Sequence, residues 1–315
     1  MKKKIFIDGS AGTTGLRIYE RFENRDDIEL IKISEELRKD PVERKKLINE
    51  SDITFLCLPD AAAKESVDLA TNDDVIIIDT STAHRTEKGW AYGFPELSKK
   101  HRENIKNGKR IAVPGCHATG FISAVYPLVA GGIIPPDYPI SAFSLSGYSG
   151  AGKKGIAQYE MENREKEFDA PREYALNQQH KHLKEMKKIT GLSKLPLFSP
   201  IVSDYYSGML VSVPLYTEYF KEKKSPLEIQ KFFEEFYKGE KFIKVMPYGS
   251  EDKTNGFLSG NACSMWDGLR IFVTGNEDRV VVSAQFDNLG KGASGAAIQC
   301  LNIVLGCEED KGLNL

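Results

Sequence analysis

The chain has 315 residues, 41% apolar and 28% charged, and its 43 basic and 45 acidic side chains leave a formal net charge of -2. That length exceeds one ordinary core and suits two domains, while the balanced charge excludes a general polyanion binder and so argues against nucleic acid as a partner. Five scattered cysteines, with no CxxC pair and no zinc-like cluster, point to a reducing, cytoplasmic compartment and to no bound metal. The start, MKKKIFIDGS, has a basic head but an apolar stretch of only Ile5 to Ile7 before Asp8. That is too short for a signal peptide, and no later run approaches the about 20 residues of a membrane span.

From the N-terminus, short β-rich runs alternate with helical patterns: KIFID, a helix over about 12–22, IELIKI, a polar helix over 42–50, ITFLCL, a helix over 61–70, and VIIID. Strands that are apolar almost throughout, separated by helices, predict a parallel sheet covered on both faces. The first strand runs into DGSAGTTGL, where Gly9, Gly12 and Gly15 recur every third residue. This is not the GxGxxG fingerprint, because Ser10 and Ala11 separate the first two glycines. The context of strand, loop and helix is nevertheless the one that phosphate binding requires. Small residues admit a pyrophosphate and Thr13 and Thr14 can donate to it; a tight turn with no ligand is the plain alternative.

A cofactor without a 2′-phosphate prefers an acid at the end of the second strand. Here that strand is expected to end at Ile33, with Ser34 at the diagnostic position and Arg38 and Lys39 close behind, a composition that favours NADP; Glu35 and Glu36 pull the other way. Pro59 and Asp60 in CLPD, and Ser81 and Thr82 in DTSTAHR, fall at carboxyl ends of the next two strands, where an open α/β sheet binds its ligand. Arg85 follows and can clamp a carboxylate or phosphate, or form a surface ion pair. The basic run Lys99, Lys100, Arg102, Lys106, Lys109 and Arg110 reads as a solvated face or helix end.

Next comes AVPGCHATG. Ala118, Phe121, Ile122, Val125 and Leu128 trace the apolar face of a helix that opens at or beside Cys116. At a helix N-terminus the unpaired N–H groups and the dipole favour thiolate over thiol, which suits a nucleophile. A small buried hydrophobe is the alternative.

Beyond about residue 117 the texture changes to longer strands, ISAFSLSGYSG, GMLVSVPLY, GLRIFVTG and RVVVSAQFDN, with helices near 157–167 and 226–237. The expectation is an α+β domain over 117–289 with a mainly antiparallel sheet. A final helix from about 291 to 305, within a 290–315 segment, is expected to return to the first domain, residues 1–116. In SGYSGAGKK, the residues Ser146, Gly147, Ser149 and Gly150 can hold a departing phosphate or the cofactor, with Lys153 or Lys154 neutralising charge; a strand-to-helix turn competes. Asn288 is placed either to meet a nicotinamide amide or to cap the last helix, which opens at Gly290. Cys57 and Cys300 fit core positions, and Cys263 and Cys307 have no neighbouring base.

In this order GSAGTTGL, DTSTAHR, YGFPEL, VPGCHATG, SGYSGAGKK, HKHLKEM and DNLGKGASGAAIQ resemble the short form of the N-acetyl-γ-glutamyl-phosphate reductase family. The resemblance implies a Rossmann-type domain plus a catalytic domain, as in aspartate-semialdehyde and glyceraldehyde-3-phosphate dehydrogenases. It also implies NADP, Cys116 as nucleophile, and a homo-oligomer, a tetramer or dimer. The family's histidine segment reads close to His-x-His-x-Pro-Glu, and here Lys184 stands in the proline position. By that motif His182 takes the catalytic role with His180 as second candidate; a polar surface histidine is the alternative for either.

The resemblance implies an acyl phosphate as substrate, and the residue types then supply the chemistry. A thiolate attacks an acyl phosphate, inorganic phosphate leaves, and the resulting thioester is reduced to an aldehyde, with an imidazole managing the proton. Aspartate-semialdehyde dehydrogenase, a reductase of carrier-protein-linked acyl phosphates and a non-catalytic dinucleotide sensor are the competing readings.

Overall fold

The structure is a computed structural model, and it describes residues 2–23 and 25–315. The chain divides into two compact units, one running up to Gly115 and taking in Ala293–Asn314, the other Cys116–Gly292.

In the first unit β1 (Lys3–Asp8), α1 (Thr13–Phe22), β2 (Ile28–Ile31), α2 (Pro41–Glu50), β3 (Ile53–Leu56), α3 (Asp60–Leu69), β4 (Ile76–Asp79), β5 (Ala91–Tyr92), α4 (Lys99–Asn107) and β6 (Arg110–Ala112) follow in turn. The six strands form one parallel sheet in the order β2-β1-β3-β4-β6-β5. Ile5, Ile7, Ile53, Phe55 and Ile78 are buried with Ile18 and Phe22 of α1 and with Ala297, Cys300 and Leu301 near the C-terminus. α2 starts where Asp40 accepts from Val42 N at 2.8 Å and Glu43 N at 3.0 Å, with Pro41 at the first helical position. The second strand stops two residues short of Ile33, because 35–39 coils into turns. Of the basic run, Lys99, Lys100 and Lys106 are exposed on α4, its half-buried Arg102 pairs with Glu309 at 2.8 Å, and Lys109 and Arg110 lie beyond the helix.

The second unit holds α5 (Cys116–Ala130), β7 (Ser141–Gly147), α6 (Gly152–Tyr159), β8 (Arg172–Glu173), α7 (Leu183–Thr190), β9 (Leu197–Ser203), β10 (Met209–Tyr216), α8 (Pro226–Phe236), β11 (Ile243–Val245), β12 (Leu269–Gly275) and β13 (Arg279–Phe286). Its sheet is mixed, β11-β12-β13-β10-β7-β9-β8, and mostly antiparallel, the β11–β12 and β7–β9 pairs being parallel. α5 is buried along most of its length although Pro127 lies inside it. Proline has no N–H for the carbonyl of Ser123 four residues back, and the Tyr237 hydroxyl donates to that oxygen instead, at 2.8 Å. α8 begins in a capping box made by Ser225 and Glu228.

The helix expected over 157–167 forms earlier. α6 spans Gly152–Tyr159, and a short 3-10 turn follows at Lys166–Asp169. Met161–Arg164 is polar and pinned elsewhere, since Arg164 reaches Asp204 and Asp169. α9 (Gly295–Leu305) is preceded by a π-helical turn, Gly290–Ser294, so the last helix starts four residues later than the expected Lys291.

Candidate active site

The first unit carries the glycine loop. Gly9 follows β1 with φ +89°, and a Cβ there would lie 2.5 Å from the carbonyl oxygen of Cys57. Gly9 is thus required both by its left-handed backbone and by contact with the loop after β3. Gly15 lets α1 pack onto that loop, since its Cβ would lie 2.5 Å from the Gly9 oxygen, whereas a Cβ on Gly12 meets nothing nearer than 3.4 Å. Gly12 is the N-cap of α1 and no side chain caps that end. The loop lies where β1 adjoins both β2 and β3, so the strand order reverses there, which is where open α/β sheets bind ligands.

The neighbouring loops are tied down by side-chain contacts. Asp8, buried at the tip of β1, pairs with buried Arg44 at 3.1 Å and accepts from Ser66 Oγ at 2.8 Å. Asp79, fully buried at the end of β4, accepts from Ser81 N at 2.9 Å and Ser81 Oγ at 2.7 Å and lies 2.6 Å from His84 Nδ1. His84 stacks on Trp90. Pro59 caps α3, and Asp60 just after it accepts from Thr82 N at 2.9 Å and from the Thr82 hydroxyl. Arg85 is buried, with Nε donating to Val113 O at 2.8 Å and Nη2 to Thr80 O at 2.9 Å. It braces the strand ends. Ser34 is exposed, and Arg38 pairs with Glu35 at 2.8 Å. Thr13 and Thr14 open α1, and Ser10 lies in the turn before it.

In the second unit Cys116 is the first residue of α5, half-buried and outside any disulfide. A Cβ on Gly292, in the π turn, would lie 3.0 Å from Cys116 Cβ, so the turn comes down directly on the cysteine. The other cysteines sit differently. Burial pushes the Cys57 thiol up to about 12 and Cys263 up to about 11, and Cys300 is buried in the core.

Next to Cys116, His117 is buried with Nδ1 2.7 Å from Ser144 Oγ and Nε2 2.7 Å from the Tyr174 hydroxyl. Burial drives its pKa down to about 3, helped by the charges of His180 and Lys181, so the ring is neutral. The Tyr174 hydroxyl is held above the ordinary phenol range by burial and by the nearby charge of Cys116. His180 and His182 complete the group, with ring centroids 5.2 Å and 5.7 Å from His117 and 4.7 Å from each other. His182 is 3% exposed and caps α7; the hydrophilic look of NQQHKHLKEM does not make it a surface residue. His180 Nδ1 accepts from His182 N at 3.2 Å.

The histidine segment is held by Gln178. Its Nε2 donates to Phe198 O at 2.9 Å and its Oε1 accepts from Phe198 N at 3.0 Å, copying a strand partner for β9. The Phe198 ring packs on His117 and His180 at 5.4 Å and 5.2 Å. His117, Tyr174 and Gln178 were not singled out from sequence. His117 stands in the quoted VPGCHATG motif, but its partners are 27 and 57 residues away.

The second glycine segment and Asn288 also meet. Asn288 Nδ2 donates to Ser149 Oγ at 3.0 Å, its Oδ1 accepts from Gly208 N at 2.8 Å, and a Cβ on Gly150 would lie 3.2 Å from Ser146 Oγ. Asn288 is therefore neither a simple cap nor remote from SGYSG. Ser146 Oγ donates to Gly147 O at 3.0 Å, and Gly290 opens the π turn by donating to Asp287 O at 3.1 Å.

Residues 14–107 match the family model of the semialdehyde dehydrogenase NAD binding domain, and residues 116–288 that of the semialdehyde dehydrogenase dimerisation domain. N-acetyl-gamma-glutamyl-phosphate reductase 2 of Nostoc sp. is 46% identical, covering 99% of both chains. The chain belongs to the N-acetyl-gamma-glutamyl-phosphate reductase family. The reductase of Brucella ovis is 43% identical over 97% of this chain and all of its own, and the reductase 2 of Pseudomonas putida 40% identical over 98% of each. The fold extends further: aspartate semialdehyde dehydrogenase II of Vibrio cholerae superposes with a TM-score of 0.73 over 97% of this chain and 99% of its own, at 16% identity. Membership makes the glycine-loop unit a nicotinamide-dinucleotide-binding domain. Among the described residues no helix is long and apolar enough to cross a membrane.

Proposed function

We propose that the chain reduces N-acetyl-γ-glutamyl phosphate to N-acetylglutamate semialdehyde with NADPH, through a thioester on Cys116. The family's reaction is this reductive dephosphorylation, an oxidoreductase step of arginine biosynthesis. The observation that carries the cysteine assignment is Cys116 itself, the opening residue of α5 and the neighbour of a cluster of three histidines.

In this reading the Cys116 sulfur attacks the acyl carbon, the C–O bond to phosphate breaks, and inorganic phosphate leaves with the electron pair. When bound, the reduced nicotinamide supplies the hydride that the thioester carbon needs. His182 lends a proton to the tetrahedral oxygen and recovers it as the C–S bond breaks, which returns the thiolate and releases the aldehyde. His180 is the second candidate. Ser146, Gly147, Ser149 and Gly150, gathered around Asn288, receive the phosphate end of the substrate, while Arg85 acts by bracing the loop it is tied to.

The cofactor fits the glycine loop. Gly9 and Gly15 are needed for the turn, and Gly12 is a glycine the fold does not need for space, which leaves backbone approach to a pyrophosphate as its use. Ser10, Thr13 and Thr14 donate beside it, and Pro59 and Ser81 line the adjoining strand ends. NADP is chosen over NAD because Ser34 and Arg38 stand beyond β2. Arg38 has only to exchange exposed Glu35 for a 2′-phosphate, and exposed pairs are worth little. The division of labour is an NADP-binding domain completed by the C-terminal helix and a catalytic domain that also forms the homo-oligomer.

The test is phosphate-dependent reduction of NADP by N-acetylglutamate semialdehyde, followed by nicotinamide absorbance, with NAD and aspartate semialdehyde as comparators. Turnover with the acetylated substrate and NADP, abolished in Cys116→Ser, is expected. Turnover only with aspartate semialdehyde overturns the substrate, and turnover surviving Cys116→Ser overturns the nucleophile.

A further inference from the structure

Resting on the reading of Cys116 as nucleophile, we propose that His117 is a positioning residue. It is locked by Ser144 as the Nε2–H tautomer and grips Tyr174 by its oxygen, so that the phenolic proton points at the carbonyl oxygen of an acyl group on Cys116.

A neutral imidazole has one N–H and one acceptor. Both ring nitrogens of His117 are in contact, Nδ1 with Ser144 Oγ and Nε2 with the Tyr174 hydroxyl, each at 2.7 Å. One contact is therefore a donation and the other an acceptance. Were the proton on Nδ1, Tyr174 would spend its only proton on Nε2 and have nothing for a ligand. With the proton on Nε2, the Ser144 hydroxyl donates to Nδ1, Tyr174 accepts at its oxygen, and its O–H is released to point elsewhere.

The surroundings select the second arrangement. Ser144 is 0% exposed and its Oγ contacts His117 Nδ1, so a proton on Nδ1 would leave the serine O–H buried without that acceptor, whereas a bare Nδ1 receives it. The rings of His180, His182 and Phe198 pack around the imidazole, and the charge of Lys181 helps to keep it neutral. Ser144 is fully buried on β7, so its geometry does not drift. The released O–H is the donor assigned here to the oxygen of an acyl group on Cys116, the residue next to His117, and its bond strengthens as negative charge grows on that oxygen. The phenol itself transfers no proton; it hydrogen-bonds to the tetrahedral oxygen, to which His182 lends the proton, until the C–S bond breaks.

The tautomer is read without substrate, from two-bond ¹H–¹⁵N correlations of histidine-labelled enzyme, with His117 assigned by its absence in His117→Gln. The expected pattern is Nε2–H, unchanged between about pH 5 and pH 8. An Nδ1–H pattern, or a ring that titrates in that interval, overturns the proposal. Kinetics supply the second arm: Tyr174→Phe should lower kcat about 100-fold and leave KM within about threefold. His117→Gln sets an amide N–H near the position of Nε2–H and should keep kcat within about fivefold, while the shorter His117→Asn should fall as Tyr174→Phe does. Equal activity in the two His117 variants overturns the assignment. Wild-type enzyme that shows the Nε2–H pattern but ignores the acetylated semialdehyde would count against the reaction assigned above, not against this tautomer.

Discussion

A histidine that stays neutral when folded but protonates when unfolded makes stability depend on pH in one direction. For His117 the ordinary value of 6.5 falls to about 3 in the fold, so between these values the unfolded chain binds the extra proton. Its contribution is therefore complete above pH 6.5 and is lost as pH falls toward about 3. The slope is at most about 1.4 kcal/mol per pH unit. Urea unfolding at pH 6.5 and pH 5 should show wild type losing about 1–2 kcal/mol more than His117→Gln; equal losses would mean the ring is protonated when folded. Cys116 lies on the same scale. With Cys57 and Cys263 held as thiols by burial and Cys300 in the core, iodoacetamide at neutral pH should label Cys116 at least about tenfold faster than those three, and substrate should protect it. Uniform slow labelling would remove the nucleophile. Cys116 was legible as a residue type before a helix; the low pKa of His117 was not, because desolvation is a property of everything packed around the ring.

At the scale of elements the glycine loop separates two roles that the spacing merges. Gly9→Ala places a Cβ 2.5 Å from a backbone oxygen at a positive φ, and should cost about 2 kcal/mol or more of stability. Gly12 has an ordinary φ of -73° and room for a methyl group, so Gly12→Ala should melt within a degree or two of wild type, or about 0.5 kcal/mol above it. If Gly12 is the approach point for the pyrophosphate, that same variant should raise KM for NADPH about tenfold or more. Unchanged KM would leave the loop as a turn only. α7 and β9 escaped the sequence reading for a physical reason. α7 has eight residues and β9 seven, with Pro200 within it, so neither shows a clean period. They exist because Gln178 pairs with Phe198 and because α7 packs on α5, contacts between distant positions.

At the scale of the whole molecule, one face of the second sheet carries exposed apolar side chains. The pairings Phe143 with Ser199 and Phe143 with Ser212 put Phe143, Leu197 and Tyr216 on one face, 51%, 68% and 57% exposed. Contiguous exposed apolar surface of this kind marks an interaction site, and this domain matches a dimerisation model. Sedimentation velocity should return a multiple of 35.2 kDa for wild type, reduced in a Phe143→Lys, Leu197→Glu double variant. A wild-type species of 35.2 kDa would overturn the homo-oligomer.

What the sequence by itself determined was the part of the protein written in local order: apolar strands alternating with helices, a glycine loop between the first strand and helix, and a cysteine opening an apolar helix. Each depends on neighbours a few residues apart, so period and turn chemistry suffice to read it. Tertiary structure alone decided the rest. It buried His182 in a hydrophilic stretch, set Tyr174 and Ser144 on either side of His117, and brought Asn288 to Ser149 across 139 residues of chain. Burial and long-range hydrogen bonds set ionisation and orientation, and no residue carries them alone.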